Sequence, residues 1–198
     1  MTPPDLSRGF DLMRKALDAL YGAALVGACL SMVVIALLVF IQVTARRVDR
    51  FLVLFGMPRT GFIIPSLAEI GGFLLVAAAF LALASTLRSA GHVRVTLALR
   101  WFGEGADRLM TGFALLVGIG LSAFAAWAVL VQTMITYRNG SVSFGIVAMP
   151  LWVPQTVMTL GIIIFLIALV DEMVQLLRGG EPSFRHEERT REVTEGGH

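Results

Sequence analysis

Between Glu69 and Arg88 the chain carries no charged side chain. A half-exposed helix of a water-soluble domain needs a polar face, so this stretch must cross a bilayer. Pro65 blocks helix on the N-terminal side, and Ser66 with Glu69 three residues later has the spacing of a capping box, which predicts where the span begins. At about 1.5 Å per residue, residues 66–87 cover roughly the 30 Å hydrocarbon core, leaving Arg88 and His92 in the far headgroup region. Three more long apolar runs give the fold class: an all-α integral membrane protein with four transmembrane helices, at about 19–45, 66–87, 108–137 and 153–177. With 57% hydrophobic and 15% charged residues, no soluble domain of this size is a comfortable alternative. The basic residues sit at the ends of apolar runs, which excludes nucleic acid as a partner and makes the lipid bilayer the first one.

Residues 1–18 form a polar lead in which Leu6, Phe10, Met13, Leu17 and Leu20 make one apolar helical stripe. An N-terminal amphipathic segment on the membrane surface is expected there, running into an uncleaved first span. The apolar run of residues 19–45 is much longer than the roughly 7 to 15 residues of a signal-peptide core. Arg46, Arg47, Asp49 and Arg50 are expected to end that helix. In the connection that follows, residues 51–55 and 62–64 are too short to span and are expected to dip into the interface or touch a partner. After the second span, Thr96 can cap a short in-plane helix over residues 97–102. The third span starts near Asp107 or Arg108, and Gly118, Ser122 and Ala126 repeat the small-xxx-small pattern that admits a neighbouring helix. Pro154 fits the first turn of the fourth span, with Trp152 and Tyr137 sharing one interface. The tail, residues 178–198, mixes charges with Gly and Pro and is expected to be disordered and cytoplasmic. Eleven of the sixteen Lys and Arg fall on the side of the N-terminal lead, the second connection and the tail, so both termini are expected in the cytoplasm.

Sites for chemistry are scarce. His92, His186 and His198 all lie outside the spans, so haem cannot be held by two histidines within the helices. There is no CxxC or HExxH spacing for a metal and no Ser-His-Asp set, so neither an enzyme nor a cofactor is expected. Cys29 reads as a small packing residue. Glu69 has two readings, a helix-start or partner contact and an ion-coupling carboxylate. Asp171 and Glu172 end their helix where the dipole disfavours anions, so their expected partner is Arg178, Arg88 or a group on another subunit, the alternative being a solvated helix end. His92 is either a headgroup-facing residue or a group that fixes the turn or touches a partner. For the partner face the expectation is Glu69, Arg88, His92 and the small-residue stripe Ala78, Ala82 and Ser85.

An acid at the start of the second span, then Ser85, Arg88 and Gly91-His92-Val93-Arg94-Val95 at its exit, resembles the small membrane subunit of tripartite ATP-independent periplasmic (TRAP) transporters. The resemblance continues through Ser143-Phe144-Gly145, Met149-Pro150-Leu151-Trp152-Val153-Pro154, Gly161 and Asp171-Glu172. Thr96 stands where that family usually has Asp, keeping the capping ability without the charge. The resemblance implies a secondary transporter in the bacterial inner membrane with a periplasmic substrate-binding protein that captures an organic acid and a large many-span permease subunit. The large subunit would carry the ion and substrate sites, sodium included, and this chain would be its non-catalytic scaffold. Two other functions remain open: a self-sufficient four-span carrier coupled to protons or cations through Glu69, and an accessory subunit of an unrelated membrane complex.

Overall fold

The computed structural model describes residues 4–88 and 104–178. Within them lie four helices: α1 (Pro4–Leu54), α2 (Leu67–Arg88), α3 (Glu104–Arg138) and α4 (Trp152–Leu177). All four contain a stretch long and apolar enough to cross a membrane. Pro154 sits in the first turn of α4.

The N-terminal lead runs from Pro4 without a break into the first span, as one helix of 51 residues, whereas the far end of α1 departs from expectation. There the helix runs through Arg46, Arg47, Asp49 and Arg50 to Leu54 instead of stopping at them. The reason is tertiary: the connection folds back along the helix. Asp49 accepts hydrogen bonds from the Thr60 amide at 2.8 Å and the Gly61 amide at 3.3 Å, and also from the Thr60 hydroxyl. Lower down, the Gln42 side chain accepts the Ile64 amide at 2.9 Å. A charged cluster ends a span, but it need not end a helix when a return loop covers one side of it. Residues 97–102 and the tail beyond 178 lie outside the described residues.

The helices form an open row in the order α1, α2, α4, α3, and α1 touches α4 chiefly where Tyr21 meets Ala168 beside Ala84. Each edge helix uses one seam. On α1 the covered positions are Leu17, Tyr21, Ala24, Ala28, Ser31, Ile35, Leu38, Gln42, Ala45, Asp49 and Leu52, alternating four and three apart, with Gly27 beside them. On α3 the seam runs through Leu115, Gly118, Ser122, Ala126, Val129, Thr133 and Thr136. A 3.5-residue repeat is that of helices packed at a shallow left-handed angle. Hydrocarbon gives the apolar faces no reason to close into a bundle, so the outer flanks stay lined with Leu, Val, Ile and Phe. At Gly161 the α4 backbone comes close to α2: a β-carbon there would lie 2.6 Å from the Phe80 main chain. At Gly118, by contrast, the space is filled by the Leu169 side chain at 3.6 Å.

Candidate functional site: two polar knots at the ends of the row

The first knot joins α2 to the α3–α4 loop. Gly140 takes φ 58 and turns the chain, and the loop closes as a narrow hairpin through Ser143 N–H to Met149 O (2.8 Å) and Leu151 N–H to Ser141 O (3.1 Å). Its tip is tied to the start of α2 twice. The Val147 amide donates to Ser66 Oγ at 2.9 Å, and the Ser143 hydroxyl donates to the Glu69 carboxylate at 2.9 Å. A β-carbon at Gly145 would fall on that carboxylate, so any larger residue there requires the Glu69 side chain to move. Tyr137 meets Trp152 edge-on at 5.6 Å beneath the hairpin, sharing the interface as the sequence predicts, and Pro150 bridges to Val142. Pro154 is buried in the first turn below.

This geometry corrects the capping box. Ser66 has φ 55, whereas an N-cap residue is extended, and its hydroxyl serves Val147 rather than its own helix. Glu69 likewise reaches across to Ser143 instead of back to the Ser66 amide. Both residues tie the loop to α2, a long-range contact that could not be read from local spacing.

The second knot lies at the opposite end. Arg88 pairs with Asp18 at 2.6 Å and lies over the Tyr21 ring, 4.8 Å from its centroid. Both α1 and α2 are therefore clamped by one guanidinium, which also lies in the field of Asp171. Asp171 accepts the Gln175 amide at 3.1 Å, and Glu172 is 1% exposed. A solvated helix end is excluded for Glu172. Arg108 of α3 donates to the Leu176 carbonyl at 2.6 Å, placing a cation at the end of α4, as the dipole favours. The clamps at Asp18, Tyr21 and Arg108 were not foreseen. Asp18 and Arg108 carried a signal, each being a charge at the very edge of an apolar run.

Ala78 is 6% exposed and packs inside the row, so it is no part of a partner face. Its helix has neighbours on two sides. The open side of α2 runs through Ala68, Gly72, Leu75, Ala79 and Thr86, with Ala82 and Ser85 half-buried. Ser85 bonds its hydroxyl to the Ala82 carbonyl at 2.8 Å. Gly91, His92 and Thr96 lie outside the described residues. Cys29 is exposed on the flank of α1 rather than packed. No group of three or more His, Cys, Asp or Glu side chains able to hold a metal occurs among the described residues.

A helix row with structural polar knots at both ends, and its long flanks left apolar, has the form of a membrane subunit. The family model described as tripartite ATP-independent periplasmic transporters, DctQ component, matches residues 35–179. The chain belongs to the DctQ family. No curated protein and no solved structure matches it. As a DctQ component it is a small, non-catalytic, multi-pass subunit of a TRAP-type secondary transporter of the inner membrane. The match begins within α1 and ends just past α4, so both knots except Asp18 and Tyr21 fall inside it.

Proposed function

We propose that this chain frames the large many-span permease subunit in the bilayer during ion-gradient-driven uptake of an organic acid brought by a periplasmic substrate-binding protein. The observation that carries this reading is the open row. Its two edge helices spend one seam each on neighbours inside the chain and leave the rest of their length apolar, which suits a frame that needs a partner face and stable packing. A solute site would need broken helices or clustered polar groups at mid-membrane depth, whereas the polar contacts between elements gather at the ends of these helices. Thr133 and Thr159, 3.4 Å apart between α3 and α4, are a small exception that joins two helices.

Both termini face the cytoplasm in this reading, which puts the Glu69–Ser143 knot on the periplasmic side. Purified alone and reconstituted, the chain is expected to move no organic acid; co-reconstituted with the large subunit and the binding protein, it is expected to support uptake along a sodium gradient. Transport by the lone chain would overturn the proposal. For orientation, a phosphatase fused after His198 that is active only outside the cytoplasm should stay silent, and a strong signal would reverse the assignment.

A further inference from the structure

α1 outreaches its neighbours on the Glu69 side. The helix runs beside α2 from Asp18, paired with Arg88, to Gln42, bonded to Ile64 just ahead of Leu67. At 1.5 Å per residue those stretches rise about 36 Å and about 32 Å, so the two axes are close to parallel. Beyond Gln42 the helix continues unbroken to Leu54, roughly 18 Å further. A headgroup layer is only about 5 to 7 Å deep on each side. With Gln42, level with the start of α2, taken as the hydrocarbon edge, Arg46 and Arg47 fall at headgroup depth, as do Phe62 and Ile63 on the returning loop, and Arg50, Phe51, Leu54 and Phe55 fall above it.

That tip is both greasy and basic. Phe51 is 66% exposed, Leu54 82% and Phe55 73%. Arg50 and Arg59 are exposed beside them, while the nearest acid, Asp49, is turned into the loop by its bonds to Thr60 and Gly61. In the proposed orientation these arginines also lie on the side where positive charge opposes insertion, so they do not serve topology. Lipid cannot cover a tip that clears the headgroups, and water is a poor solvent for three adjacent large apolar side chains.

We propose that this arm is a docking site for a water-soluble protein on the periplasmic side that presents acidic groups around an apolar patch, namely the substrate-binding protein of the same transporter. The assignment rests on the function and orientation proposed above. The loop clamp holds the arm in place before contact, which lowers the ordering cost of docking. Apolar side chains would supply the anchor, and the arginines would steer the encounter.

The test uses the membrane complex in neutral-lipid nanodiscs with the binding protein in solution. Binding should weaken with rising salt. Phe51→Ser with Leu54→Ser, and separately Arg50→Glu with Arg59→Glu, should each weaken it about tenfold or more while the large subunit still co-purifies. A membrane-impermeant maleimide should label Leu54→Cys, in a Cys29→Ala background, until the binding protein is added. Unchanged binding by both variants would overturn the arm and leave the transporter reading standing. Absence of binding by the unaltered complex would overturn both. Loss of the large subunit from the variants would reassign the arm to that partner, and a Leu54→Cys thiol closed to the reagent from the start would place it in lipid; either result defeats the proposal.

Discussion

Gly161 and Gly145 are the positions at which a single atom decides the packing. At Gly161 a side chain would meet the Phe80 main chain, which cannot swing aside as a flexible side chain can. Gly161→Leu should therefore cost about 3 kcal/mol or more, since overpacking against backbone lies at the upper end of such penalties. A fall in the melting temperature of the purified complex would register it. The obstacle at Gly145 is instead the Glu69 carboxylate, so Gly145→Ala should destabilise the outer knot, and Glu69→Ala in the same chain should return part of that loss. Additive losses would show that the two positions do not communicate. Glu69→Gln separates the two original readings of this acid. An amide oxygen can still accept the Ser143 hydroxyl at 2.9 Å, so uptake should persist close to the unaltered level. Abolished uptake with intact assembly would restore the ion-coupling role.

Helices behave here as rods whose neighbours are fixed by a few cross-links. The Arg88–Asp18 pair ties α1 to α2, but its side chains are 30% and 58% exposed, so Asp18→Asn should cost less than about 1 kcal/mol after solvent screening. Asp49 does more for the fold of α1 than a surface acid usually does, because it holds two backbone amides that the return loop would otherwise leave to water. Asp49→Ala should speed hydrogen exchange at Thr60 and Gly61 and open the loop to protease, with little change in the spans. Unaltered exchange there would mean the loop stays folded without its clamp. On α2 the proposed partner face now centres on Gly72 and Ala79, with Ala82 beside it. Ala79→Trp should weaken association with the large subunit more than Ala78→Trp, which should instead loosen the row itself. The reverse order would return the face to the stripe first read from the sequence.

At the scale of the molecule, the unclosed row explains why the chain suits a multi-subunit assembly. Its internal seams are narrow and rich in Ala, Gly, Ser, Thr and Leu, and a partner covering the flanks would add stability by mass action. The four-helix membrane class was legible in the residues because lipid imposes one rule on every sequence, and the family was legible in its motifs. A charge-free run of sufficient length has nowhere else to go. Pro154 at a helix start and the Tyr137–Trp152 interface were legible for the same local reason. What lay beyond the sequence were relations between distant residues. Ser66 and Glu69 show local capping chemistry, yet their partners stand more than seventy positions away. Arg46 to Arg50 look like a terminator, and a loop folded back from Thr60 to Ile64 carries the helix past them. The order α1, α2, α4, α3 was likewise unreadable, because all four rods offer similar grease to hydrocarbon. Side-by-side order is set by where small residues let backbones meet, as Gly161 does with Phe80, and that complementarity exists only once both surfaces are in place.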